Sequence, residues 1–327
     1  MKNKRKKTAF MYIAYGLSAC LFLGIPHIIK DPYFMHIIII SIINVCLALS
    51  LNLIMITGHV SLAHGAFLGI GAYTSTLLVT RLGISFWCAL PLAALMAGLV
   101  SFFLGLVTLK LTGIYFALAT FAFNEILRMI FIGWGNLFGG ASGITDIPPP
   151  GPISIPGLVT IQFNTKFTYF YIAALFLMLT FFIITRLHRS RTGLIFKAIE
   201  EGELLTECLG TNTMKFKIFA FVISSFIAGL AGSIYAHYLH YICPQDFSFW
   251  ESVNVLVFTV VGGVGTILGP ILGSTLLTIV PEFLRFTVEY QTLLYGLILI
   301  LALLFMPRGI HGLLKTITNN IPFRGKT

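Results

Sequence analysis

Residues 186–217 read RLHRSRTGLIFKAIEEGELLTECLGTNTMKFK, and this stretch organises the reading of everything around it. Six cations (Arg186, Arg189, Arg191, Lys197, Lys215 and Lys217) and four acids (Glu200, Glu201, Glu203 and Glu207) fall within it. Nearly everything on either side is apolar enough to lie in lipid. One long charged internal loop in such a chain marks the place where a soluble partner is met; the bland alternative is a loop merely solvated by its charges.

The composition fixes the solvent. Only 10% of the 327 residues are charged and 57% are hydrophobic, against about a quarter charged in a soluble domain. Repeated apolar runs of about 20 residues are each long enough to cross roughly 30 Å of hydrocarbon. The net charge of +10 raises the possibility of nucleic acid, but the basic residues cluster in loops beside apolar runs, which is how orientation in a membrane is set. No segment outside the apolar runs is long enough to build its own core, so residues 1–327 are read as one membrane domain. Cys20, Cys46, Cys88, Cys208 and Cys243 form no C-x-x-C and support neither a disulfide framework nor a zinc site.

Working outward, the spans fall at residues 10–29, 34–56, 60–80, 86–109, 114–132, 167–185, 216–238, 252–281 and 293–305. The first follows MKNKRKK at 1–7. Its apolar run continues past a cleavage-like LSAC at 17–20, so it is read as an uncleaved span with a cytoplasmic basic end. The stretch 252–281 is too long for one straight helix across a bilayer, and GGVGT at 262–266 divides it in two. The start, the 186–217 loop and the basic tail all belong in the cytoplasm by their Lys and Arg. Both ends inside demands an even count: ten crossings with 252–281 as two spans, or eight if it is a re-entrant hairpin. The expected fold is thus an all-α polytopic membrane protein of 8–10 transmembrane segments.

Polar groups inside spans are the candidate functional residues. Ser61 and His64 are three apart and would share a helical face, lining a path or hydrogen-bonding a neighbouring helix. Asn124, Glu125 and Arg128 lie in the fifth span, where the last two can pair as an (i, i+3) couple. Gly65, Gly69 and Gly71 read as close helix packing. His237 and His240 lack a third metal ligand nearby and read as an interface pair. GKT at 325–327 resembles the end of a phosphate-binding loop, but Asn320 stands where its first glycine belongs and no strand precedes it. No H-E-x-x-H or G-x-S-x-G occurs. The chain is therefore read as non-enzymatic, without a cofactor of its own.

Four stretches carry a family resemblance. SLAHGAFLGIGAY at 61–73 has Ala63 where the family has glycine. YFALATFAFNEILR at 115–128, GGASGI at 139–144, and GGVGTILGPILG at 262–273 followed by Pro307-Arg308-Gly309 complete the set. Over residues 35–313 the chain resembles permease subunits of the branched-chain amino acid ABC importers, of the LivM type. The resemblance implies that residues 186–217 dock onto an ATPase subunit through Gly193, Lys197, Glu200, Glu201, Glu203, Glu207 and Gly210. Glu200 replaces a basic residue there, Gly202 an asparagine, and Leu205-Thr206 two alanines. It also implies a second homologous permease, two ATPase subunits that use the ATP, an extracytoplasmic binding protein, and a place in the bacterial cytoplasmic (inner) membrane. Leucine, isoleucine or valine would be carried, with urea or short amides as the alternative. An ion-coupled secondary transporter, which would hold acids or broken helices near the midplane, finds its main support in Glu125. Ser61, His64, Asn124, Glu125 and Arg128 are the expected path residues.

Overall fold

The computed structural model describes residues 24, 26, 31–155, 159–161, 163 and 165–284, with scattered residues between 293 and 312. The expected first span, most of the last one and the basic tail lie outside the described residues. The helices are α1 (Pro32–Met55), α2 (His64–Thr80), α3 (Phe86–Thr108), α4 (Ile114–Gly133), the single turn α5 (Gly135–Phe138), α6 (Lys166–His188), α7 (Arg191–Glu201), α8 (Glu203–Cys208), α9 (Thr213–Leu239), α10 (Phe249–Gly262) and α11 (Leu268–Phe283). Among the described residues, α1, α3, α4, α6 and α9 are long and apolar enough to cross a membrane unaided. The fold is all-α and polytopic. Among the described residues the only paired strands are a two-stranded antiparallel ribbon, β1 (Ile153–Ile155) and β2 (Val159–Ile161), inside the Gly- and Pro-rich loop.

Local chemistry sets the helix starts. Asp31 caps α1 by accepting from the Tyr33 N–H at 2.8 Å, with Pro32 in the first turn. Ser190 caps α7 and Asn212 caps α9, where its Oδ1 accepts from the Lys215 N–H at 3.1 Å. Most expected boundaries lie close to the observed ones, because the apolar runs give way there to charged residues or to turn glycines such as Gly58, Gly83 and Gly113; the start of α2, at His64 rather than residue 60, is the exception.

The helices share two ends. At one, the basic end, Gly58 after α1 lies against Glu200 of α7. There Lys217 Nζ of α9 also donates to the Leu109 carbonyl that follows α3, at 3.0 Å. At the far end, Lys166 of α6 donates to Pro32 O, Trp87 of α3 donates to Gly151 O, and Tyr33 of α1 bonds Glu282 of α11. His237 and His240 close α9 there; their Nδ1–H groups donate to Pro148 O and Ile147 O, at 2.8 and 2.7 Å. They anchor the long loop, together with the antiparallel bridge between Ile144 and Ile242.

α9 is the central helix, packed on α2, α3 and α1. Its approach to α2 is backbone to backbone. A Cβ at Gly232 would overlap the Leu68 carbonyl, and one at Gly71 would overlap Gly229. Small residues permit this approach, and dispersion between the two backbones rewards it where no hydrophobic effect operates between helices. The α10–α11 pair repeats the device at Gly262 and Gly273.

α10 and α11 settle how 252–281 runs. α11 starts near the end of α1, where Asn52 accepts from the Gly265 N–H at 2.9 Å and donates to Thr266 O at 2.8 Å. It finishes at the far end beside Tyr33. The chain comes back from α9 at the far end through residues 240–248, enters α10, and reaches the Asn52 turn at the basic end. Residues 249–283 are thus two successive crossings rather than a hairpin returning to its own side. α10 itself is only 14 residues, about 21 Å, and residues 241–248, which include a 3-10 turn at Pro244–Phe247, cover the remaining depth.

Candidate functional site where two interrupted spans meet

α2 begins inside the bundle. Its first turn meets Asn124, which lies ten residues into α4, and Ser224, eleven residues into α9. At 1.5 Å per residue both are about 15 Å from the basic end, half of a roughly 30 Å core. Residues 57–63 therefore cover the inner half of this span without being helical. α10 starts at the same level from the other direction, so two helix N-termini face each other at mid-depth.

Helix N-termini in a dry interior present N–H groups that must be satisfied. Ala63, the residue before α2, offers no side-chain cap. The caps come from other helices. Ser252 Oγ of α10 accepts from the Gly65 N–H at 2.8 Å and Asn124 Oδ1 accepts from the Ala66 N–H at 2.7 Å. Asn124 then donates through Nδ2 to Phe247 O at 3.2 Å and accepts from Ser252 Oγ at 3.3 Å. For α10, Glu125 Oε1 accepts from the Phe249 N–H at 3.2 Å, while Oε2 holds Arg128 Nε at 2.8 Å. A carboxylate at a helix N-terminus is favoured by the partial positive charge there. Thr120 receives the Leu62 N–H at 3.0 Å.

The expected path residues divide into two sets. Ser61, His64 and Asn124 are fully buried. Ser61 does not share a helical face with His64, because the helix has not yet begun; it accepts from the Ala63 N–H as a local turn. His64 donates from Nε2 to Ser224 Oγ at 2.9 Å, and Ser224 donates to Ser50 O at 2.5 Å. Its Nδ1 is left without a hydrogen-bond partner. Glu125 and Arg128, each 25% exposed, lie instead on an open face of α4 and α10. On these two neighbouring helices Asn254, Ile126, Met129 and Trp250 are exposed and Glu251 is partly exposed. Sequence reasoning missed Asn52, Ser252, Ser224 and Asn254; each is a polar residue within an apolar run, which is the available signal.

The charged stretch folds as α7 and α8, divided at Gly202, outside the membrane-spanning helices. Its expected docking residues also divide. Gly193 is buried, and a Cβ there would press on the carbonyls of Leu187 and His188. Glu203 is engaged within the chain: it pairs with the buried Lys217 at 2.6 Å and accepts from Thr213 Oγ1 at 3.0 Å, beside Glu207, which accepts from the same hydroxyl at 2.5 Å. Partial burial works against ionisation of Glu203, but the Lys217 bond and charge outweigh it and hold the carboxyl below its ordinary range. Lys197, Glu200, Glu201, Glu207 and Gly210 face outward. Burial and the neighbouring Glu201 raise the Glu200 carboxyl, against the opposing pull of Lys197. Leu194, Leu204, Leu205 and Leu209 accompany them, 68–85% exposed.

These features define a polytopic α-helical membrane protein with polar groups gathered where two broken spans meet. Residues 33–303 match the family described as branched-chain amino acid transport system / permease component, and the chain belongs to that family. It is similar to the high-affinity branched-chain amino acid transport system permease protein LivM of Escherichia coli, 34% identical over 289 residues, covering 83% of this chain and 68% of that protein. The LivM protein of Salmonella typhimurium is likewise 34% identical, over 288 residues and the same shares. The autoinducer 2 import system permease protein LsrC of Yersinia pestis is 26% identical over 319 residues, 93% of this chain and 85% of that one. No solved structure matches the chain.

Proposed function

We propose that the chain is the membrane-spanning subunit of an ATP-binding-cassette importer that carries leucine, isoleucine or valine across a bacterial cytoplasmic membrane. In this reading residues 1–327 form one permease domain with both termini in the cytoplasm. It pairs with a second, similar permease, receives substrate from an extracytoplasmic binding protein, and is driven by two ATPase subunits docked on α7 and α8. The observation that carries it is the surface of those two helices. Four leucines stand nearly bare outside the lipid-facing helices, ringed by Lys197, Glu200, Glu201 and Glu207. Apolar groups so exposed to water, rimmed by charge, are what a protein interface presents.

The substrate path is assigned to the open face of α4 and α10. Glu125 and Arg128 on an exposed face at mid-depth are costly in hydrocarbon, and a second permease closing over that face would relieve the cost. An acid and a base together suit a zwitterion passing between the two subunits. The 34% identity to LivM, above the 26% to the autoinducer permease LsrC, supports a branched-chain amino acid as the cargo. Radiolabelled leucine uptake, in cells lacking their own branched-chain importer and supplied with this chain and its co-encoded partners, tests it. Uptake should be competed by unlabelled isoleucine and valine and not by urea or acetamide. Competition by the amides alone would move the substrate to the other class.

A further inference from the structure

The α6 surface carries a feature that the transport reading does not use. Leu175, Leu179 and Phe182 are exposed and spaced four and three apart, so they form one stripe along the helix. Four residues further on the stripe reaches Arg186, then Arg189 just past the helix end, and Arg191 opens α7. Phe181, Phe182, Thr185, Arg186, Arg189, Ser190 and Arg191 line a cavity of about 610 Å³ there. Within its wall, Thr185 Oγ1 is buried without a hydrogen-bond partner.

We propose that this cavity binds one anionic phospholipid. The phosphate lies among the three guanidinium groups and the acyl chains run along Leu175, Leu179 and Phe182. Charge complementarity selects an anion, because three arginines converge on one space, and guanidinium forks match phosphate oxygens. The apolar stripe selects a lipid over a free ion, since it continues the site along the helix into the depth occupied by acyl chains. The site's position at the basic end of a membrane-spanning helix is where a headgroup would lie, and basic pockets between helices are known to hold such headgroups.

The proposal is tested on the full-length chain in mild detergent, with equal amounts of phosphatidylglycerol and phosphatidylcholine offered and bound lipid counted by native mass spectrometry. The unaltered chain should retain phosphatidylglycerol over phosphatidylcholine by at least about tenfold. Replacing Arg186, Arg189 and Arg191 together by Gln should bring the two lipids close to parity. The corresponding Lys replacements should keep a reduced preference, and they carry the test if the Gln variant does not fold. Inorganic phosphate and glycerol phosphate should not displace the bound lipid. Equal retention of both lipids by the unaltered chain, undiminished preference in the Gln variant, or displacement by inorganic phosphate would each overturn the assignment.

Discussion

At the residue scale, two ion pairs make opposite use of their charges. Glu125 caps α10 and holds Arg128 on an open face. Glu125→Gln keeps the acceptor for Phe249 but leaves Arg128 without its anion. We expect a loss of about 1–2 kcal/mol, less than for a fully buried pair because both groups reach the surface, and uptake lowered about tenfold or more. The double variant, with Arg128→Gln as well, should recover folding. If uptake stays lost, the pair belongs to the path; if uptake recovers with folding, the pair only pins helices; full uptake in both variants would exclude both roles. Lys217 is different. It is 2% exposed and joins Glu203 to the Leu109 carbonyl. Lys217→Met should cost about 3 kcal/mol by stranding Glu203 and the carbonyl, read by thermal unfolding in detergent. Glu203→Gln beside it should restore part of the loss. Because the folded Glu203 carboxyl titrates below its ordinary value of 4.5, its contribution is present above that value and lost as pH falls through the lowered one. The double variant should show less acid sensitivity below pH 4.5. Asn124 was legible as important, since an amide in a span invites attention. That it caps a neighbouring helix was not legible, because the start of α2 at mid-depth leaves no mark in composition.

At the element scale, the glycines separate into required and optional positions. Gly232→Ala would press a methyl into the backbone of α2, and we expect about 3 kcal/mol of destabilisation or more, with reduced abundance in the membrane. Gly98→Ala meets only ordinary van der Waals distances and should be neutral or mildly stabilising, by up to about 1 kcal/mol. Equal effects of the two substitutions would show that the α2–α9 crossing is looser than described. The break at 262–266 was legible because several glycines interrupt a run too long for one helix. The non-helical passage at 57–63 was half legible: Gly58 marks a turn, but Val60, Ser61, Leu62 and Ala63 fit a helix as well as a coil. Only the caps offered by Asn124 and Ser252, distant in sequence, fix where α2 begins. Residues 186–217 were legible as a charged stretch between apolar runs; that Leu194, Leu204, Leu205 and Leu209 stand exposed along α7 and α8 was not, because composition does not show which face of a helix is covered.

At the scale of the whole molecule, the cations are unevenly shared. Among the described residues Lys110, Arg186, Arg189, Arg191, Lys197, Lys215 and Lys217 lie at the end that holds α7 and α8, against Arg81 and Lys166 at the other. On the positive-inside rule we expect α7 and α8 on the cytoplasmic side. A lone Lys197→Cys thiol should react with an impermeant reagent only after cells are opened, and a lone Asp146→Cys thiol should react in intact cells; the reverse pattern would invert the topology. We propose that external ATPase subunits drive this chain through the leucine surface of α7 and α8. The most direct measurement is ATP-driven leucine accumulation in proteoliposomes holding the chain with its ATPase subunits and binding protein, compared with a Leu204→Glu, Leu205→Glu variant. The expected result is accumulation by the unaltered complex, no ATP hydrolysis by the chain alone, and a variant that inserts normally yet neither retains the ATPase subunits nor transports. Undiminished ATPase retention and uptake in the variant, or hydrolysis by the isolated chain, would contradict it.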